Sequence, residues 1–571
     1  MAAKLKNPWP ILAIFFYISL SIRTSCHPTP RGSLVIARSG IIATEETICS
    51  NIGKEILVRG GHAVDASVAA AFCLGVVGPP FSGLGGGGFM LVRQDNGEAK
   101  VFDMLETAPR RAFKTMFNKH KIDQIRGKLS IAIPGQLAGL YEAWSIYGKL
   151  PWNDLVKPAE DLARNGSTIS NHLHQVIDYE ASMLRRDPML RSIFTADGRP
   201  LKPGNTLIQK TLANTLSEIA RTGVMAFYNG PIGQRLVNDI IRGSPGILSM
   251  DDLRKYRVKI RKPLTADVMG LQILSAPPPS SGGAVLVLVL KILEQYEIPR
   301  GVSGALGTHR TIEALKHALS MRMQLGDPDF EKMNYKLFSM LSTKTAKKLR
   351  AQINDTKTYR SDHYGDKWKQ VQDHGTTHIC VVDKERNVVS MSTSLNSMFG
   401  SGYMSPSTGI LLNNHMFGFS IPAPFEPPPA PPNFIQPAKR PLSSITPTII
   451  LKGGRLKAVV GGAGGIFIPA AVSEVILNHF AKEMDPLSSI MAPRYYPMLH
   501  RNMLYYENYS WMGAKYIASE GTLKFLRSRN HNMVGDRGPL SSCVLVLNNM
   551  DDDAKLVAVV DARKGGVPAG Y

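Results

Sequence analysis

The stretch from Gly375 to Leu395 constrains this chain more than any other. Gly375-Thr376-Thr377-His378-Ile379-Cys380-Val381-Val382-Asp383 passes from a charged, loop-like segment into an apolar strand. Lys384-Glu385-Arg386 is a polar turn, and Asn387 to Leu395 reads as the returning strand. A hairpin symmetric about Glu385 sets Thr376 opposite Ser394, with two hydroxyls within cross-strand reach. A slip of one residue would turn Ser394 to the other face. Asn396, two residues further on, falls on the same face as Ser394. Two readings of Thr376 follow. It is a β-branched residue that starts a strand, or it marks a self-cleavage point. Cutting before it would free an α-amino group beside its own hydroxyl, a pairing of base and nucleophile.

The surrounding pattern mixes helices and strands. Helical patterning covers Glu45 to Arg59, Val64 to Cys73, Gly135 to Tyr147, Trp152 to Asn165, Leu212 to Thr222 and, later, Ile468 to Lys482. Strands are expected at 89–92 and 100–102, and after the hairpin at 410–412, 449–451, 458–460, 544–546 and 556–559. Such a mixture, with adjacent hairpins, predicts helices packed on antiparallel sheets. The proline-rich run Pro277 to Gly283 reads as a stiff turn before a helix. Pro422 to Pro441 reads as an ordered loop over a site or a rigid spacer. At 571 residues, 44% hydrophobic and 20% charged, the chain is long and apolar enough to bury a large core.

The amino-terminal residues carry a separate message. Lys4 and Lys6 precede an apolar run from Trp9 to Ile22, the layout of a secretory signal and short for a membrane span. The expectation is a signal peptide over residues 1–26 and a secreted protein; the alternative is a short membrane anchor. Sequons at Asn165, Asn354 and Asn508 agree with that route. Cys49 and Cys73 flank a helix-like stretch and are the pair to bridge in an oxidising compartment, whereas Cys380 and Cys543 lie in apolar strands as buried thiols. The formal charge of +22 suggests attraction to a polyanionic cell surface. The basic residues are scattered and no nucleic-acid motif accompanies them, so no nucleic acid is expected as partner.

Several familiar chemistries are excluded. Ser82-Gly83-Leu84-Gly85-Gly86-Gly87-Gly88 contains a formal GxGxxG, but Pro79-Pro80 precedes it and a strand follows, the wrong context for a dinucleotide. There is no HExxH and no GxSxG, and His374 and His378 do not read as metal ligands. No metal and no cofactor are expected.

Taken in order, the motifs resemble those of the γ-glutamyltranspeptidases, which are N-terminal-nucleophile hydrolases. They are Gly60-Gly61-His62-Ala63-Val64-Asp65-Ala66, the glycines of 83–88, Pro277 to Gly283, Gly326-Asp327-Pro328-Asp329-Phe330, Thr376-Thr377-His378, Gly409 to Asn414, Arg440-Pro441-Leu442-Ser443-Ser444 and Pro568-Ala569-Gly570-Tyr571. The resemblance implies an αββα sandwich, made as one precursor and cut into a large subunit, 27–375, and a small subunit, 376–571. Thr376 would attack the γ-glutamyl amide of glutathione or a similar donor and pass the acyl group to water, an amino acid or a dipeptide. Ser394 and Asn396 match positions that support the threonine, and Ser394 replaces a usual threonine. Gly464 and Gly465 match the oxyanion-hole pair. Ser443 and Ser444 match residues that hold the donor's α-carboxylate. A Cys49–Cys73 bridge agrees with one in animal members, some of which are secreted into venoms.

Three departures stand against these matches. Leu105, before Glu106, occupies the place of the arginine that binds the donor's α-carboxylate. Gly418 replaces the aspartate that binds its α-amino group, and His415 replaces a nearby Gln or Glu. A dry pocket for a zwitterion needs a partner at each end, and losing one desolvated partner costs about 2–5 kcal/mol. Arg110, Arg111 and Lys439 are the cations that could replace the lost arginine. The sequence therefore predicts retained self-cleavage, and either weakened donor turnover or an inactive homologue that works by binding.

Overall fold

The computed structural model describes residues 33–119, 121–243, 246–371, 375–424, 427–549 and 555–571. The signal-like segment and His374 lie outside them. Two seven-stranded sheets form the centre. One runs, edge to edge, through Ser33–Ala37, Lys555–Val560, Ser542–Asn549, Arg455–Ala463, Thr448–Lys452, Leu271–Ser275 and Leu264–Val268. The other runs through Ala569–Gly570, Ile41–Thr44, Gly375–Val382, Val388–Asn396, Gly87–Arg93, Ala99–Asp103 and Lys259–Arg261. Both sheets interleave strands from before and after residue 376.

Alternating side chains sort the layers. Phe89, Leu91, Cys380, Val382 and Val388 from one sheet meet Ile449, Val459, Val544, Val546 and Ala558 from the other in a dry inter-sheet core. Their neighbours Met90, Val92, Ile379, Val381, Val389 and Met391 point outward onto Thr47–Val58, Ala63–Val77 and Gln136–Tyr147. On the far side, Ile273, Ile450, Ala458, Val460 and Leu545 pack against Gly282–Leu293, Gly304–Arg322 and Ile468–Ile476. The fold is the expected αββα sandwich. Strands buried on both faces explain why 379–382 and 388–389 read as unbroken apolar runs.

Local chemistry sets the element ends. Ala63–Val77 starts on a capping box, in which His62 Nδ1 accepts from Val64 N at 3.0 Å and Asp65 Oδ2 accepts from His62 N at 2.9 Å. Its alanine-rich face lets it lie flat on the sheet, and every residue but Gly75 is buried. The hairpin register is the one read from sequence: Thr376 pairs with Ser394, Thr377 with Thr393 and Val382 with Val388. Cys49 and Cys73 are bridged, and Cys380 and Cys543 are free and buried.

Two local expectations are corrected. Residues 410–412 form no strand; Leu411 and Leu412 make only isolated bridges, to Met404 and Gly85. Asn413 explains this, because its side chain takes up the carbonyls of Gly85 and Ala132 (2.7 and 2.9 Å), holding the segment as a clamped loop. The α-helix starting at Ile468 stops at Ile476 and continues to Ala481 as a wider π turn.

The bridge ties the first two helices across a separation of 24 residues. Replacing both cysteines by alanine should lower stability by about 3 kcal/mol in denaturant unfolding. An unchanged midpoint would mean that packing alone fixes these helices.

Candidate active site

Thr376 is 3% exposed, at the start of its strand, where the ladder shifts register between Gly375 and Thr376. Its Oγ1 donates to Ser394 Oγ at 3.4 Å, and Ser394 Oγ donates in turn to the carbonyl oxygen of Gly375 at 2.5 Å. The backbone N–H of Asn396 donates to the same Ser394 oxygen at 2.8 Å, which fixes the direction of its proton. The two hydroxyls thus form a relay ending on the carbonyl of the Gly375–Thr376 peptide bond. Asn396 has φ +74° and donates through Nδ2 to Asn414 Oδ1 and O at 3.1 and 3.2 Å. A left-handed asparagine held by its side chain is strain kept in place by the surrounding fold.

A lysine that the sequence motifs did not single out completes the setting of Thr376. Lys564 Nζ donates to the carbonyl of Thr376 at 2.7 Å and to Glu45 Oε2 at 2.8 Å. It stands 4.4 Å from the Phe81 ring centroid, on which His172 stacks at 5.2 Å. Because Lys564 is 188 positions from Thr376, only the fold brings them together. Burial, with the nearby Lys564 charge, pushes His172 down to about 3.

The opposite sheet supplies the glycines. His378, two residues after Thr376, packs so tightly under Gly461 that a Cβ there would sit 2.2 Å from the imidazole. That contact stacks Arg455–Ala463 over the nucleophile's strand. Gly464 and Gly465 follow at its end, with φ +127° and +59°, and a Cβ on Gly464 would meet Leu540 O at 2.3 Å. Only glycine suits this turn. His378 itself is held by Ser392 Oγ at 2.7 Å and pushed down to about 3 by burial, so it is a neutral packing group.

The donor-pocket candidates form a continuous path from the relay. Ser394 pairs with Gly87, and a Cβ on Gly87 would lie 2.4 Å from Glu106 Oε2. Glu106 is fully buried, and His415 Nδ1 stands 2.8 Å from its Oε1, a close charge contact without hydrogen-bond alignment. Burial raises the Glu106 carboxyl, and His415 opposes that rise. Gly418 follows, where a Cβ would be 3.0 Å from Pro441 Cβ and 3.8 Å from His415 Cδ2. Ser443 and Ser444 come next. The Ser443 carbonyl accepts from Ser281 N and Oγ at 2.8 and 2.7 Å, and Ser444 Oγ accepts from the buried Arg322 at 2.7 Å.

Leu105 is fully buried in the inter-sheet core with Leu274, Ala276 and Ile445. Two of the proposed substitute cations are engaged elsewhere, and the third, Arg111, is exposed at the surface. Lys439 donates to Glu331 Oε1 and Pro432 O at 3.0 and 2.8 Å, and Arg110 is exposed beside Asp251. Away from this path, His309, Glu313 and His531 cluster, but buried Lys316 lies 3.3 Å from Glu313 and already supplies a positive charge.

Comparison with known proteins places the chain in a family. Residues 49–571 match the family model described as gamma-glutamyltranspeptidase. The chain belongs to this family. It is 46% identical to glutathione hydrolase 2 of Arabidopsis thaliana over 94% of both chains. A Helicobacter pylori gamma-glutamyltranspeptidase structure matches at 31% identity and TM-score 0.53, covering 55% of this chain and 92% of that one. A cephalosporin acylase from Bacillus halodurans shares the fold over 100% and 99% of the two chains, at TM-score 0.82 and 22% identity.

His172 generates a pH prediction. Unfolded, it titrates near 6.5; folded, it stays neutral down to about 3. Its share of stability is therefore complete above pH 6.5 and is lost as pH falls through this window, at up to about 1.4 kcal/mol per pH unit. His172→Phe should stack on Phe81 and flatten the acid limb of a melting-temperature profile relative to the parent. Parallel profiles would rule out this assignment.

Proposed function

We propose that the chain is a secreted γ-glutamyltranspeptidase-type precursor that cuts itself before Thr376. The observation carrying this reading is the hydroxyl relay onto the Gly375 carbonyl. Thr376 Oγ1 attacks that carbonyl carbon, and negative charge grows on the oxygen to which Ser394 already donates. Collapse breaks the Gly375–Thr376 C–N bond, and the amine takes up the proton. The resulting ester is cleaved by water, leaving a carboxylate on Gly375 and Thr376 with a free α-amine. That amine then serves as base for the same hydroxyl in attack on an amide donor, with Gly464 and Gly465 as the oxyanion-binding pair. Interleaving strands would hold the two subunits together after the cut. Secretion is supported by the Cys49–Cys73 bridge and by the exposure of Asn165 and Asn508 as glycan acceptors.

Mass spectrometry of purified protein should find a small subunit beginning at Thr376, and Thr376→Ala should remain one chain. Ser394→Ala should slow cutting by about 10²–10³-fold, the usual worth of one such donor. Cutting at the parent rate would remove Ser394 from the mechanism.

Turnover of glutathione is a separate matter. With Leu105 and Gly418 in place, neither end of a γ-glutamyl head meets its charged family partner, Ser443 and Ser444 alone remain for the α-carboxylate, and the Glu106 carboxyl faces His415. We expect kcat/KM on γ-glutamyl anilide on the order of 10³-fold or more below that of a protein with both partners. The second reading, a binding protein for γ-glutamyl compounds or a polyanionic cell surface, rests on the same two residues. Leu105→Arg with Gly418→Asp should restore measurable turnover, provided Pro441 yields by a few tenths of an ångström and the guanidinium turns out of the inter-sheet apolar layer that Leu105 occupies, where it would be buried without a partner. Robust turnover by the unaltered protein, lost in Thr376→Ala, would reject the binding reading. No recovery in a double variant that keeps the parent melting temperature would place the defect outside the two charge partners.

A further inference from the structure

Two of the most exposed large side chains among the described residues sit one helical turn apart. Tyr335 is 83% exposed and Phe338 71%, both on the helix Asn334–Leu341. Ser342 ends that helix and starts the next, Thr343–Arg350, its Oγ accepting from Thr345 N at 3.1 Å. Burial separates the sides of this helix pair. Met340 and Ala346 belong to the core built on Gly282–Leu293, and Leu337, Leu341 and Leu349 pack against it. Tyr335 and Phe338 lie outside that core.

The same pair carries a dense positive charge. Residues 332–367 hold nine lysines and arginines against three aspartates. Asp355 is held by Arg310 at 2.6 Å and Asp366 is half-buried, which leaves Asp362 as the fully exposed carboxylate of the stretch. Lys344, Lys347 and Lys348 follow the i, i+3 and i+4 spacing that sets them on one side of their helix, and all three are exposed. Their nearness is fixed by helix geometry. Lys336 extends the surface, because with Lys367 and Trp368 it walls a groove of about 510 Å³. Exposed aromatics beside clustered lysines suit a bilayer interface. The rings enter the boundary between headgroups and acyl chains, and the ammonium groups stay with anionic headgroups. A hydrated polysaccharide would answer the lysines but offer Phe338, a ring with no polar atom, no apolar medium.

We propose that the helix pair 334–350 docks on a bilayer surface rich in anionic phospholipid. This rests on the polyanionic-surface reading and narrows it to lipid, without calling on Thr376. Full-length protein should sediment with phosphatidylcholine vesicles containing about one-third phosphatidylserine at least about tenfold more tightly than with pure phosphatidylcholine, and salt should erase the difference. Lys344→Gln, Lys347→Gln and Lys348→Gln together should remove most of that preference at an unchanged melting temperature. Phe338→Trp should keep binding and gain quenching by brominated acyl chains. Tyr335→Ser with Phe338→Ser should weaken binding by about tenfold.

Parent and variants share the amino-terminal apolar run, so differences between them report the helix pair. Absence of the anionic-lipid preference, or its survival in the lysine variant, overturns the proposal. So does vesicle-bound Phe338→Trp protein that shows no added quenching. Binding to heparin without binding to these vesicles overturns the lipid assignment and leaves the polyanion reading standing; binding to neither overturns both.

Discussion

The antiparallel pairing of Gly375–Val382 with Val388–Asn396 is the constraint from which the rest of the site follows. Both strands are internal to their sheet, flanked by Ile41–Thr44 and Gly87–Arg93, and every residue of each is buried. A slipped register would send Ile379 and Val381 into the inter-sheet core and Cys380 and Val382 onto the helices, so apolar packing on two faces holds one alignment. That alignment sets Ser394 opposite Thr376. The irregularity at Gly375 then aims the Gly375 carbonyl at the serine hydroxyl instead of into the ladder. Chemistry at this bond is thus a consequence of sheet packing.

Sequence exposes such a hairpin well, because its determinants are local: a period-two pattern, a polar turn and two hydroxyls at matched distance from it. The helices were legible for the same reason, and their ends moved by a few residues where caps decide them. Residues 410–412 read as a strand because Ile-Leu-Leu is apolar, whereas the Asn413 side chain, bonded to two distant carbonyls, decides their state. Lys564 was invisible as a partner of Thr376, since nothing in Arg563-Lys564-Gly565 signals a contact with the other sheet. The charge engagement of Lys439 was likewise hidden, because Glu331 lies 108 positions away. Contacts set by topology alone are those the sequence pattern does not carry.

The residues proposed for the donor pocket are assembled differently from the relay onto the Gly375–Thr376 bond. Thr376, Ser394, Gly375 and Asn396 belong to one hairpin and its entry, stabilised by the core beneath it. Leu105, Glu106, His415, Gly418, Ser443 and Ser444 come from three separate segments that meet only at their tips. Substitutions there disturb little of the core: Leu105 joins the inter-sheet apolar layer, and Gly418 leaves no void beside Pro441. The fold can therefore tolerate loss of the zwitterion partners without losing the relay.

Glu106 shows the consequence of that tolerance. Leu105 lies in the inter-sheet apolar layer, and the side chain that faces Glu106 is His415, its Nδ1 2.8 Å from Glu106 Oε1. Burial raises the Glu106 carboxyl and His415 opposes that rise, so the two side chains offset one another within the pocket. A glutamyl head at this position would meet the Glu106–His415 pair, while Ser394, whose strand position pairs with Gly87, keeps its bonds to Gly375 O and Asn396 N.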